Sequence, residues 1–186
     1  MTQRKSPFMD IDILYRNYID DLYSYAISMG FDRQTSMDAI HDVFYKLCTN
    51  EKYLEKVNDM KFFMLRSLRN RLIDIHRAKK EYTGLSPEEI PFTIHISVEE
   101  QIIQNEEDER NRIKVEQILD NLTDRQREII YLRYMQELDY EKIAEMMQIS
   151  VSSCRKLVYK TLIKLREANC TLFFVINSLN YISLSS

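Results

Sequence analysis

The stretch Asp139–Glu167, "DYEKIAEMMQISVSSCRKLVYKTLIKLRE", leaves this chain little choice of local fold. Asp139 can cap "YEKIAEMM" and Ser150 can cap "VSSCRKLVYKTLIKLRE", since a side-chain oxygen at either place accepts an amide proton that the first helical turn leaves free. Only Gln148 to Ser150 separate the two. The spacing predicts a helix-turn-helix, in which the early residues of the second helix can enter a major groove. Ala144 is small where the helices must approach, and Ile143, Ile149, Val151, Cys154, Val158 and Leu165 form a seam to bury. Gln148 stands where glycine would ease a positive φ, at a cost of about 1 kcal/mol. A generic helical hairpin is the other reading of this pattern.

Helical signals extend over most of the chain. "TDRQ" at Thr123–Gln126 matches a capping box ahead of "REIIYLRYMQE". Near the N-terminus, Ile11, Leu14, Tyr15, Tyr18, Leu22, Tyr25 and Ala26 recur at helical spacing, and Gly30 falls where a left-handed C-cap is due. Asp32 can cap the next helix, which carries Ile40, Val43, Phe44 and Leu47 on one face. A long amphipathic helix is expected from about Asp59 to Lys80, and another from near Val98 to Asn121. Two glycines and three prolines among 186 residues disfavour sheets built on tight turns. The expected class is all-α, two small helical domains joined by an acidic linker. Gly84, Pro87 and Pro91 mark the boundary: 1–80 forms the first domain, 81–111 the linker, 112–168 the second domain and 169–186 a C-terminal tail.

The formal net charge of −3 hides a strong segregation. Lys61, Arg66, Arg69, Arg71, Arg77, Lys79 and Lys80 face only Asp74 between positions 61 and 80. From Ser86 to Arg110 the sign reverses, with Glu88, Glu89, Glu99, Glu100, Glu106, Glu107, Asp108 and Glu109 against Arg110. Arg155, Lys156, Lys160, Lys164 and Arg166 then follow with no acid before Glu167. Two basic segments flanking an acidic one point to two contacts on one polyanion. Ser152, Ser153, Arg155, Lys156, Tyr159 and Lys160 lie opposite the apolar seam or flank it, where they can donate to base edges and phosphates. The first basic segment mixes cations with aromatic residues, which suits an unpaired strand. Phe62 and Phe63 are expected in the core, and Tyr53 as a more exposed stacking candidate.

Other classes find little footing. Cys48, Cys154 and Cys170 are an odd set without metal-ligand spacing, which fits a reducing cytoplasm rather than a disulfide framework. Neither a signal peptide nor a membrane span is expected, and the apolar tail "TLFFVINSLNYISL" is interrupted by Asn177 and Asn180. Asp38, His41 and Asp42 imitate a metal cluster without a matching ligand set, while His76 and His95 are isolated. No Gly-rich phosphate loop or nucleophile elbow occurs. The expectation is a non-enzyme with no catalytic residue, metal or cofactor.

With these motifs on the page, the chain resembles the bacterial RNA polymerase sigma factors of the extracytoplasmic-function (ECF) group. "MDAIHDVFYKL" (Met37–Leu47) is similar to the segment that binds the clamp helices of the polymerase β′ subunit. "FFMLRSLRNRLIDIHRAKK" is similar to the segment that melts and reads the minus-ten element, and Leu119–Glu167 to the domain that reads the minus-thirty-five element and rests on the β flap. The resemblance implies that Asp38, Asp42, Val43, Phe44 and Leu47 contact polymerase. It implies that Arg66, Arg69, Asn70, Arg71, Asp74, Arg77, Lys79 and Lys80 serve the minus-ten DNA. The helix-turn-helix residues named above would serve the minus-thirty-five DNA. His41, Phe63 and Ser67 depart from the family's usual residues, as do the apolar Leu157, Leu162 and Ile163 in the recognition helix.

The function so implied is to direct RNA polymerase to specific promoters and to assist their melting. Core polymerase and promoter DNA would be the partners, with an inhibitory anti-sigma factor as a further one. The acidic linker would thread polymerase, since its like charge repels nucleic acid and suits a basic channel. The competing readings are a stand-alone helix-turn-helix regulator and a helical protein-binding adaptor.

Overall fold

The computed structural model describes residues 11–49, 57–83, 90–95, 113 and 115–168. The chain divides into two compact units, Met1–Ile90 and Pro91–Ser186. Among the described residues all regular structure is helical, as expected.

The first unit packs three long helices against one another: α1 (Ile11–Ser28), α2 (Arg33–Thr49) and α3 (Met60–Thr83). α1 ends at Gly30, whose φ of 78° is the left-handed cap the sequence called for. The Gly30 and Phe31 amides close the last turn on Ile27 and Ala26 carbonyls. Asp32 then opens α2, accepting from the Thr35 amide at 2.9 Å and the Thr35 hydroxyl at 2.7 Å. Those two bonds hold its carboxyl below the ordinary aspartate range, the amide bond most of all. Asp59 performs the same service for α3 by accepting from the Phe62 amide. Leu22, Tyr25, Ala26, Ala39, Ile40, Met64, Leu65, Leu68 and Leu72 fill the core. Phe62 and Phe63, expected there, are only half-buried. α3 runs three residues past the expected domain boundary, to Thr83. Tyr53 lies outside the described residues.

The second unit is built from shorter pieces. A helical stretch at 115–120 leads to α4 (Asp124–Ile130), a π-helical turn (Tyr131–Met135), α5 (Tyr140–Met147) and α6 (Val151–Ala168). The beginning of the helix expected from Val98 lies outside the described residues. Thr123 and Gln126 form the full capping box at the start of α4. The π turn was not foreseen. It closes by a bond from the Gln136 amide to the Tyr131 carbonyl, and Gln136 Nε2 donates to the buried Tyr131 hydroxyl at 3.2 Å. Glu137 then takes a positive φ of 57°, and Leu138 tucks into the core.

A second departure concerns the expected linker, most of which lies outside the described residues. Residues 90–95 form no regular element, with Phe92 buried, Ile90 and Ile94 half-buried and Pro91, Thr93 and His95 exposed. Phe92 is only 2% exposed, its ring edge-on to Tyr131 at 5.4 Å. Phe92 therefore belongs to the packing of the second unit. Arg127 holds it in place by donating to the Phe92 carbonyl and to the Leu119 carbonyl at 3.1 Å. Asp124 accepts from the Phe92 amide and from Arg127, each at 2.8 Å. Partial burial pushes the Asp124 carboxyl up, but the Phe92 amide and the Arg127 guanidinium together bring it below its usual value.

Candidate nucleic-acid interface

The helix-turn-helix forms as its caps require. Asp139 accepts from the Lys142 amide at 2.8 Å, and Ser150 from the Ser153 amide at 3.1 Å. Gln148 adopts the left-handed conformation, φ 55° and ψ 47°, despite its side chain. Its cost is offset by the buried Ile143, Ala144, Met146, Met147, Cys154 and Val158 that the turn brings together. Ile149 and Val151, expected in the same seam, are half-buried at its rim. Thr161, which the sequence reading passed over, is fully buried because its hydroxyl donates back to the Leu157 carbonyl at 2.7 Å. Burial raises the Cys154 thiol above its ordinary value, and the charge of Glu141 adds to this.

The opposite face of α6 stays open. Ser152, Ser153, Arg155, Lys156, Tyr159 and Lys160 are all exposed, Tyr159 by 66%. Free amides at the helix start and the cations beyond them make this face attractive to phosphate. Two residues the sequence reading missed restrain Arg155. Its guanidinium lies 5.4 Å from the Tyr140 ring centroid and 3.4 Å from the Glu141 carboxylate. The Arg133 guanidinium also packs on the Tyr140 ring, at 4.9 Å, while donating to the Leu138 carbonyl. Tyr140 thus carries two cations at once, a placement visible only when α5 and α6 are folded together. Of the three apolar departures, Leu157 and Leu162 are half-buried and Ile163 is exposed.

In the first unit, Arg66, Asn70, Asp74 and Arg77 are exposed at steps of four, four and three along α3, which places them in one stripe. Arg69 flanks it half-buried, and Lys79 is exposed beyond it. The Lys80 side chain lies outside the described residues. Arg71 turns away from this stripe, its Nε donating to Asp42 Oδ2 at 2.8 Å and tying α3 to α2. Lys61 makes a similar tie to Asp21 on α1.

On α2, Asp38 is exposed and Asp42 half-buried. Val43, Phe44 and Leu47, expected to face polymerase, are 2%, 6% and 2% exposed. They line the inward stripe of an amphipathic helix, where Phe44 packs on Tyr15 at 5.1 Å. Their role in the folded chain is to hold α2 in place. Its outward face is instead carried by Asp38, His41, Tyr45 and Lys46, with Tyr45 69% exposed. Among the described residues no group of His, Cys, Asp and Glu is arranged to hold a metal ion. No described helix is long and apolar enough to cross a membrane.

Both units have counterparts among known families. The Sigma-70 region 2 family matches residues 14–82, and the Sigma-70, region 4 family matches residues 112–165. Together these matches take in α1–α3 and the helix-turn-helix, in the expected order.

The chain belongs to the sigma-70 family.

Its similarity to curated members places it in the ECF group of sigma factors. It is 24% identical over 156 residues to the ECF RNA polymerase sigma factor SigM of Bacillus subtilis, covering 82% of this chain and 90% of SigM. It is 24% identical over 160 residues to RNA polymerase sigma factor YlaC of the same organism, covering 84% and 90%. The fold resembles that of sigma factor RpoE from Bartonella quintana, solved with the anti-sigma factor NepR. That likeness has a TM-score of 0.59 and 19% identity, over 86% of this chain and 96% of the other. It also resembles CnrH, solved with the cytosolic domain of CnrY, with a TM-score of 0.50 and 16% identity over 84% and 85%. As a sigma factor the chain directs RNA polymerase to promoters, with core polymerase and promoter DNA as its partners.

Proposed function

We propose that this sigma factor divides its work between two cationic surfaces and acts in the cytoplasm without chemistry of its own. The exposed face of α6 reads the minus-thirty-five element through Ser152, Ser153, Arg155, Lys156, Tyr159 and Lys160. The α3 stripe of Arg66, Asn70, Asp74 and Arg77, with Arg69 and Lys79 beside it, engages the minus-ten element as it melts. The outward face of α2, Asp38 and Asp42 included, meets the β′ clamp helices, and the second unit rests on the β flap. The observation that carries this reading is the sidedness of α6. All six residues expected at DNA are exposed, while Cys154, Val158, Thr161 and Leu165 are buried on its other side.

An acidic connector suits a basic channel in polymerase, and the exposed Ile163 suits cover by an anti-sigma factor, the kind of partner co-crystallised with the similar RpoE.

Reconstitution with core polymerase on a pool of promoter fragments tests the assignment. Defined transcripts should appear with the native chain and vanish when Arg69 and Asn70 are both replaced by Ala. Arg155→Ala should relax preference at one base position of the upstream element and lower affinity by about tenfold. Unchanged output from the Arg69 and Asn70 double variant would remove the melting role.

A further inference from the structure

Two consecutive residues at the start of α5 act on α6 from outside it. Asp139 caps α5, accepting from the Lys142 amide at 2.8 Å and pairing with the Lys142 ammonium at 3.1 Å. Tyr140 and Glu141, the first residues of that helix, therefore project from a backbone that is held in place. Both meet Arg155, whose guanidinium lies 5.4 Å from the Tyr140 ring centroid and 3.4 Å from the Glu141 carboxylate. The Arg133 guanidinium supports the same ring at 4.9 Å and is itself tied to the Leu138 carbonyl at 2.9 Å. The Arg155 and Glu141 side chains are 61% and 64% exposed, so the group stands at the surface that α6 offers to a ligand.

An arginine on an open helix face has many rotamers, and binding must order it at a cost in entropy. A ring under the guanidinium and a carboxylate beside it confine the group before any ligand arrives. The carboxylate also decides what the arginine prefers. A guanidinium presents several donors in a planar fork, so one bond to Glu141 leaves donors for a bidentate contact with guanine O6 and N7. A phosphate gains less there, because Glu141 repels its charge while Arg155 attracts it. The base edge carries no formal charge and escapes that repulsion.

We propose that Tyr140 and Glu141 are positioning residues that set specificity, by turning Arg155 toward a guanine edge and away from the phosphates. This step rests on the reading of α6 given under Proposed function and adds the class of base to it. Neither residue has to touch DNA, and neither lies in the recognition helix.

The test uses holoenzyme on a promoter fragment that the native chain selects, with each base pair of the upstream element varied in turn. Native holoenzyme should prefer guanine at one position, and Arg155→Ala should erase that preference. Tyr140→Leu should lower affinity for the guanine site about threefold and leave the substituted sites unchanged. Tyr140→Phe, which keeps the ring, should retain the native preference. Glu141→Gln should narrow the preference from the other side, raising affinity for the substituted sites about threefold and steepening the salt dependence by about one counterion. In the Arg155→Ala background neither change should alter base preference further. Glu141 is exposed, so its variant carries the test even if Tyr140→Leu costs the second unit its fold. Equal losses at all sites, or effects on preference that persist without Arg155, overturn the positioning role. A guanine preference that survives Arg155→Ala overturns it too, and removes Arg155 from the base edge. Absence of promoter-specific transcripts from the native chain strikes the whole reading under Proposed function.

Discussion

The two units reach stability by different routes. The first relies on length: α1, α2 and α3 have 18, 17 and 24 residues, and their apolar stripes meet in one core. The second contains α4 and α5 of only 7 and 8 residues, too short to persist by helix propensity. Its helices are instead pinned individually, by Thr123 with Gln126, by Asp139 and by Ser150, with the Arg127 clamp gathering two backbone carbonyls and the Asp124 carboxylate. Packing that is spread over long helices tolerates the loss of a polar contact. A unit assembled from short helices depends on each.

The largest break in this contrast is expected from Leu68→Ala. It empties a fully buried site in α3 and should destabilise the first unit by about 3 kcal/mol. Urea denaturation of the full chain measures the loss, and hydrogen exchange should assign it to α1–α3. Next, Thr123→Ala should cost about 1 to 2 kcal/mol in the second unit, whereas Asp32→Ala at the longer α2 should cost about half as much. Equal losses at the two caps would erase the distinction. Gln148→Gly should stabilise the second unit by up to about 1 kcal/mol, because glycine adopts a φ of 55° freely.

The smallest effect concerns pH. Asp124 binds its proton less readily folded than unfolded, so its contribution is complete above the unfolded value and fades as pH falls through the lower folded one. Protection of residues 90–95 should therefore weaken below about pH 4, and in Asp124→Asn that dependence should be lost.

Sequence alone revealed those parts of the fold whose cause is local. A cap needs its own oxygen and an amide three residues on, so Thr123, Asp139, Ser150 and Asp32 could be read directly. Gly30 and Gln148 were equally plain, since a helix that ends in a tight reversal into the next requires a left-handed residue there. The exposed face of α6 followed from period alone.

What escaped notice depends on distant partners. Phe92 lies among acids that mark a linker by composition, yet "IPFTIH" alternates apolar and polar residues, which is the signature of an extended segment with one side buried. The π turn at Tyr131–Met135 answers to Gln136 and Leu138 being drawn inward, a tertiary demand that no helical pattern announces. Val43, Phe44 and Leu47 were assigned to a surface by family likeness, although their spacing already marked them as the inward stripe of α2. On that helix, periodicity was the better guide.

Tyr140 has a consequence for anyone redesigning promoter choice. Replacing Arg155 alone would take the guanidinium away from the exposed Glu141 carboxylate 3.4 Å off, and would leave Arg133 as the remaining one of the two cations on the ring. On the reading proposed for α6, retargeting is therefore a problem of changing several codons together, with Tyr140 and Glu141 varied alongside Arg155.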